Sequence, residues 1–228
     1  MLDPYLLLPV YPVPFLEITA CAWTSDSDDS FSFLISWASR WSGPISLVMT
    51  TAVSRGSIQH EQLIQRLKSL RSHPSLNSLS LHLVHVTNNQ YSPSTYLNLA
   101  RFFASSRAVM LFPADLSNFL PSKFHSNLLS RIHHPVRKPL LIASAATSVF
   151  SIPDLTPVIL PRNYQMWCSE RAFLASRTSD WNDCIWQLWL EEYGLGQANL
   201  TVPIDNELDA SADITGLVRY LLCGEICC

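Results

Sequence analysis

The stretch Ala108–Pro121, AVMLFPADLSNFLP, indicates how the surrounding chain folds. Its first five residues are apolar, as is typical of a buried strand, and Pro113 ends that strand. Asp115 follows two residues later, and a carboxylate at the end of a strand is a frequent ligand for a metal or a nucleotide. The same carboxylate could instead close an Asx turn or cap a helix that begins near Leu120. The residues alone leave both interpretations open.

Apolar strands alternate with amphipathic helices on either side of this stretch. We predict strands at residues 17–23, 43–53, 79–86, 108–112 and 139–145. The helical periodicity predicts helices at residues 31–41, 57–70, 92–105, 120–132 and 182–193. This alternation favours the α/β class, with a mostly parallel, Rossmann-like sheet flanked by helices. Ligands of such sheets bind at the carboxyl ends of the strands, where Asp115 is expected.

The composition limits what kind of protein this is. The 228 residues carry a net charge of -3, with 48% hydrophobic and 14% charged residues, which suffices for one sizeable α/β domain or two small ones. No basic stripe is present that would bind nucleic acid. No run approaches the roughly 20 apolar residues of a membrane-spanning helix.

The chain divides into three segments by composition. Residues 1–16 form an apolar lead-in whose prolines exclude a regular helix and which lacks the features of a signal peptide. We assign residues 17–200 to the α/β domain, and the alternating pattern is clear over the first two-thirds of the chain. We expect residues 201–228, which end in CGEICC, to be a truncated or irregular tail.

Several common site motifs are missing. The chain contains no Gly-x-Ser-x-Gly, Walker or Gly-x-Gly-x-x-Gly sequence, which argues against nucleophile-elbow hydrolases and dinucleotide folds. The six cysteines include no Cys-x-x-Cys pair, and the seven histidines form no metal motif. His82 and His85 lie three apart on one predicted strand and should point to opposite faces.

Residues 161–194 interrupt the alternation and are rich in tryptophan and charge. Aromatic rings beside carboxylates suit sugar binding, and a loop carboxylate such as Glu170 or Asp180 could act as a general base on a hydroxyl. Alternatively, Trp181, Trp186 and Trp189 form the core-facing stripe of a helix, because residues three apart share a helix face.

Three segments, taken in order and spacing, resemble the glycosyltransferase family 49 domain. They are RWSGPISLVM (40–49), YSPSTYLNLAR (91–101) and VMLFPADLSNFLP (109–121). The tryptophan-rich segment WCSERAFLASRTSDWNDCIWQLWL (167–190) is similar to divergent members of the same family. The resemblance covers about residues 17–195, most of the chain.

This resemblance implies a GT-A fold and a glucuronyl- or hexosyltransferase of the LARGE or dystroglycan type. Such an enzyme transfers a sugar from a UDP-sugar to a glycan hydroxyl with the help of a divalent metal, usually Mn²⁺. Family members usually lie in the Golgi, anchored by a helix that this chain does not show. The expected partners are therefore the nucleotide sugar and the glycan acceptor.

The candidate site residues follow from the resemblance and from residue type. By the resemblance Asp115 would bind the metal, and by loop position and residue type Glu170 or Asp180 would be the catalytic base. The remaining candidates would bind substrate, as donor-side residues of the preceding helix or as sugar platforms: Tyr91, Asn98, Trp167 and Trp181.

The sequence departs from the family pattern at two places. Pro113 takes the position of the first acid of an Asp-x-Asp pair. In the helix pattern Tyr-Pro-x-Asn-x-x-Arg-Asn-x-Ala, the arginine position holds Leu97, so a cationic fork on the nucleotide side is lost. These changes favour an alternative function, a catalytically inactive GT-A-fold module that binds carbohydrate or protein.

Overall fold

The computed structural model describes residues 1–14, 17–86, 93–118, 120–132, 135–144, 154–165, 177–193, 201–202 and 218–221. The strands in these residues are β1 Leu2–Leu7, β2 Ile18–Ser25, β3 Ile45–Thr51, β4 Leu79–His85, β5 Ala108–Leu111, β6 Leu140–Ser144, β7 Val158–Pro161, β8 Thr201–Val202 and β9 Val218–Leu221. The α-helices are α1 Asp28–Trp41, α2 Ile58–Ser69, α3 Pro93–Phe103, α4 Phe124–Arg131 and α5 Arg177–Tyr193.

All of these strands join one sheet in the order β1-β4-β3-β2-β5-β7-β6-β9-β8. The central strands β4, β3, β2 and β5 are parallel, and the strands on both flanks pair antiparallel. The predicted α/β class, with a Rossmann-like core of parallel strands flanked by helices, is confirmed. The antiparallel flanks make the sheet as a whole mixed.

The helices cover both faces of the parallel strands. Helices α1, α2 and α4 pack on one face, where Trp41, Leu67 and Leu128 are completely buried. Helices α3 and α5 pack on the other face through residues such as Leu97 and Trp181. Because both faces are covered, β3 is buried along its whole length and needs the continuous apolar pattern by which it was predicted.

The lead-in residues form an edge strand. β1 pairs antiparallel with β4, and its residue Pro4 is tolerated because an edge strand has one free side. Strand β7 was not predicted, since its four residues lie between Pro157 and a terminal proline, Pro161. β8 and β9 are short strands in the segment expected to be irregular. Within the described residues, no helix combines the length and the apolar character that crossing a membrane requires.

Candidate functional site

The order in which the chain adds parallel strands to the sheet reverses at β2. From β2 it proceeds through β3 to β4, and α3 then returns it to β5 on the other side of β2. The boundary between β2 and β5 is therefore the topological switch point, outside whose carboxyl ends ligands of open α/β sheets bind. The residues that follow β5 lie at this boundary, because Phe112 N donates a hydrogen bond to Cys21 O at 2.9 Å.

Asp115 lies in the turn that follows β5 and is exposed. Its backbone carbonyl accepts a hydrogen bond from Asn118 N at 3.0 Å, and its Oδ1 accepts a longer one from Ser117 N at 3.4 Å. The structure thus contains the Asx-type turn that was one of the two sequence interpretations. The turn uses only one carboxylate oxygen, so the position of Asp115 at the carboxyl edge of the sheet remains suited to a ligand.

Arg177, at the start of α5, reaches the same edge. Its guanidinium lies 4.0 Å from the ring centroid of Trp23, and its Nη1 donates a hydrogen bond to Pro113 O at 3.1 Å. The other neighbour of Trp23 is Tyr96 of α3, with ring centroids 5.0 Å apart. Trp23 of β2 and the carbonyl of Pro113 therefore hold the guanidinium in place beside the end of β5.

The charges of Arg177 and Asp115 influence each other. Partial burial lowers the pKa of Arg177, and the nearby Asp115 carboxylate opposes that shift by raising it. Arginine stays protonated at physiological pH in spite of such a shift. The switch point therefore presents one fixed cation and one exposed carboxylate side by side.

A hydroxyl and carboxylate network fixes the ends of the neighbouring strands. Thr51 Oγ1, at the end of β3, donates to Asp26 Oδ2 at 2.6 Å and accepts a hydrogen bond from Val53 N. Asp26 N donates to Thr50 O at 3.0 Å. These contacts anchor the loop that follows β2 and so shape the β3 side of the switch point.

The structure describes only some of the sequence-predicted site residues. Tyr91, Trp167 and Glu170 lie outside the described residues. Asn98 is buried in α3, away from solvent. Their roles stay predictions.

Asp180 and Trp181 are buried where α5 meets the sheet. Ser94 Oγ donates to Asp180 Oδ2 at 2.8 Å, and Trp181 Nε1 donates to Thr156 O at 2.7 Å. Each of the two residues is 1% exposed. Their catalytic and sugar-stacking roles stay predictions, although in this arrangement both residues join α5 to its surroundings. Trp186, by contrast, is 55% exposed, so the interpretation of all three tryptophans as a core stripe is wrong for this residue.

Arg177 is the residue that sequence reasoning missed. It falls in the tryptophan-rich segment without any motif around it, and its partners Trp23 and Pro113 are far away in the chain. The one hint in the sequence was Leu97, which takes the arginine position of the family's helix pattern. The cation expected there therefore had to come from another part of the chain.

The resemblance noted in the sequence implies a divalent metal such as Mn²⁺, and the side chains at the switch point can be compared with the ligands that such a metal needs. Mn²⁺ prefers hard oxygen ligands, and comparable sites use one or two carboxylates together with substrate phosphates. Asp115 supplies one exposed carboxylate, while Pro113 supplies none. These residues therefore fit a metal site with one protein carboxylate, in which phosphate oxygens of a ligand and water would supply the other ligands.

A cavity of about 720 Å³ lies at the opposite edge of the sheet. Its lining includes Arg107, which precedes β5, and the residues from Pro161, the last of β7, to Gln165. Because this cavity adjoins the amino end of β5, it does not overlap the switch point.

Comparisons with known proteins give a limited answer. No protein-family model and no curated protein matches the chain. Two crystal structures of TarS residues 1–349 from S. aureus resemble it, one of them in complex with UDP-GlcNAc, with 17% sequence identity over 51% of this chain and a TM-score of 0.36. The match spans about a third of those structures, 31% and 32%. So low a TM-score carries no weight for ligand or activity.

Proposed function

We propose that this chain is a GT-A glycosyltransferase of the family 49 type that binds a UDP-sugar at the switch point between β2 and β5. The observation that carries the proposal is the juxtaposition of exposed Asp115 with the fixed guanidinium of Arg177 at the carboxyl edge of the parallel strands. The sequence motifs at residues 40–49, 91–101 and 109–121 support the choice of family.

Arg177 would bind the diphosphate of the donor. Transfer of the sugar leaves negative charge on the departing UDP, and a cation that is already held in place stabilises that charge without reorganisation. Trp23 and the carbonyl of Pro113 hold this cation. Arg177 would thus replace the cationic fork whose position in the family pattern is occupied by Leu97.

Asp115 would hold the metal. A bound Mn²⁺ would supply Lewis-acid neutralisation of the diphosphate. The carboxylate is exposed, and the hydrogen bond from Ser117 N uses only its Oδ1, so Oδ2 can bind a ligand. For the base on the acceptor hydroxyl we carry forward Glu170, because Asp180 is buried and accepts the hydrogen bonds of Ser94.

A second candidate function is a module of the same fold that binds nucleotide or glycan without catalysis. The specific observation in its favour is Pro113, which is buried and takes the position of the first metal acid. In that case Arg177 would still bind an anionic ligand, and only the chemistry would be lost.

Titration of the protein with UDP, with and without Mn²⁺, tests the binding site. We expect a single UDP site whose affinity increases with Mn²⁺. Asp115→Asn should abolish that increase, and Arg177→Gln should weaken UDP at least tenfold in either condition. The matched controls are Asp29→Asn on α1 and Arg71→Gln, both at exposed positions, and both should bind as the wild type does. UDP binding that neither site variant alters would refute the proposed site.

A transfer assay separates the two candidate functions. Incubation with UDP-sugars and Mn²⁺, followed by measurement of released UDP, should show turnover that depends on Asp115 and Glu170 if the chain is an enzyme. Wild-type UDP binding with no turnover for any donor and acceptor would favour the binding module.

We also propose that the protein works in the Golgi lumen, as family members usually do. Cys184 is disulfide-bonded, and disulfides persist in oxidising compartments such as the secretory pathway. Expression of the native gene product with a fluorescent tag and co-staining for Golgi markers tests this location. A purely cytosolic signal would contradict it.

A further inference from the structure

Three ligating side chains meet at the outer edge of the sheet, two strands away from the switch point. They are Asp3 of β1, His60 in the first turn of α2 and His85 at the end of β4. One ligand atom from each lies within 4.8 Å of the other two. The imidazole rings of the two histidines have their centroids 5.1 Å apart.

The hydrogen bonds of His85 determine which of its atoms faces the cluster. Its Nδ1 lies 3.0 Å from Val53 O, and a carbonyl oxygen can only accept, so Nδ1 carries the hydrogen. In the neutral ring the lone pair is then on Nε2, which lies 3.1 Å from Asp3 Oδ2. A lone pair and a carboxylate at this distance repel each other unless a proton or a metal cation lies between them.

His60 adds a second nitrogen to the cluster. Its Nε2 is buried and has no hydrogen-bond partner within the part of the chain that the structure describes. Its Nδ1 lies 3.4 Å from Gly56 N, a contact at the long limit of a hydrogen bond. The tautomer that places the lone pair on Nε2 therefore gives up only this weak contact.

The hydrogen bonds that His85 and Asp3 make outside the cluster resemble those that orient the ligands of a metal ion. A ligating histidine commonly donates its other N–H to a carbonyl, as His85 donates to Val53 O, and a ligating carboxylate is itself hydrogen-bonded. Arg55 Nη2 lies 2.9 Å from Asp3 Oδ1, which leaves Oδ2 directed at the histidines.

We propose that Asp3, His60 and His85 bind a Zn²⁺ ion or a similar late first-row divalent cation. Two imidazoles and one carboxylate are a characteristic zinc ligand set, and a water molecule would complete the tetrahedron. Metal–ligand distances of about 2.0–2.2 Å would require small inward movements of the side chains. The ion would join the edge strand β1 to β4 and to the start of α2, and so stabilise this edge of the sheet. The site is independent of the UDP-sugar site, which it neither contains nor requires.

Titration of the chain with Zn²⁺ alone, in the absence of nucleotide, tests this proposal. We expect one Zn²⁺ per chain, a melting temperature raised by about 5–10 °C at a free concentration of 100 Kd, and a visible absorption band typical of tetrahedral Co²⁺ when cobalt is the probe. His60→Gln and Asp3→Asn should weaken Zn²⁺ at least tenfold and remove the cobalt band.

The control is His73→Gln, which changes an exposed histidine outside the cluster and should bind Zn²⁺ like the wild type. Each variant is first melted without metal, so that a loss of binding is scored only for folded protein. Absence of stoichiometric Zn²⁺ binding, or binding that His60→Gln and Asp3→Asn leave unchanged, overturns the proposal. Because no UDP or Mn²⁺ is involved, this result is separate from the outcome for Asp115.

Discussion

His82 is a buried neutral imidazole that joins three elements. Its Nδ1 accepts a hydrogen bond from Tyr5 N of β1 at 3.0 Å, and its ring stacks on Phe103 at 4.2 Å. The Nε2–H faces the hydroxyl of Ser46 at 3.4 Å. Protonation of Nδ1 would break the contact with Tyr5 and place a charge among apolar rings, and burial accordingly lowers the pKa of His82 to about 4.

We therefore expect stability to fall on acidification. The unfolded chain takes up a proton on His82 near its ordinary pKa of about 6.5, whereas the folded chain does so only near pH 4. The stabilisation is complete above pH 6.5 and is lost as the pH falls through this window, by about 3 kcal/mol at the low end. Urea unfolding at several pH values measures this slope. His82→Gln should make it shallower but not remove it, because burial also lowers the pKa of His125 to about 4, and the exposed-site variant His73→Gln should leave it unchanged.

Substitutions of Trp181 distinguish a structural role of this residue from a role in sugar binding. Its ring is 1% exposed and its Nε1 donates to Thr156 O. Trp181→Phe should cost about 1–2 kcal/mol through the lost hydrogen bond and Trp181→Ala about 3–5 kcal/mol through the cavity it leaves. Chemical denaturation measures both values. A variant of unchanged stability that loses glycan binding would instead support the sugar-platform role.

The sequence predicted those site residues that a local pattern identifies. Asp115 was found because a strand and a proline precede it. Arg177 was not found, because its position depends on Trp23 and Pro113, which only the folded chain brings near it. The cluster of Asp3, His60 and His85 was missed for the same reason, since its members come from three separate elements.

At the scale of elements, the passage from α1 to β3 depends on Gly43. The residue before it, Ser42, has φ 56° and ends the helix in the left-handed region. A Cβ on Gly43 would lie 2.5 Å from Cγ of His125 on α4. Only a glycine lets α4 approach this closely.

Gly43→Ala should therefore destabilise the fold by about 2–4 kcal/mol, because either the His125 ring or α4 must move. The informative comparison is Gly56→Ala, where φ is 77° and no atom lies within 4 Å of the added Cβ. That variant should cost only the backbone strain, about 1 kcal/mol. Thermal or urea unfolding of both proteins gives the two values. Equal losses would contradict the steric explanation for Gly43.

Element prediction was accurate to a residue for two elements, whereas the helix predicted at 182–193 begins five residues earlier, at Arg177. The helix 57–70 and the strand 79–86 were predicted to within a residue of α2 and β4, because both have many residues and clear punctuation. Strand β7 has four residues between prolines, too few to show a pattern. The pairing of β1 with β4 depends on a free sheet edge, which no local sequence feature reveals.

At the scale of the whole molecule, the sheet order decides where function is expected. The order β4-β3-β2-β5 places the switch point next to Asp115 and Arg177 and places the cavity near Arg107 at the opposite edge. The alternation of strands and helices predicted the class but not this order. Strand order depends on long-range packing of α3 and α5 against one face, which periodicity does not encode.

In our proposal a nucleotide binds at the carboxyl edge of the parallel strands. Hydrogen–deuterium exchange measured with and without UDP and Mn²⁺ tests it directly, because backbone protection locates the ligand. We expect slower exchange at residues 22–26 and 112–117, and unchanged exchange at residues 161–165 beside the opposite cavity. Protection confined to residues 161–165, or no protection at either edge under saturating UDP, would contradict the account.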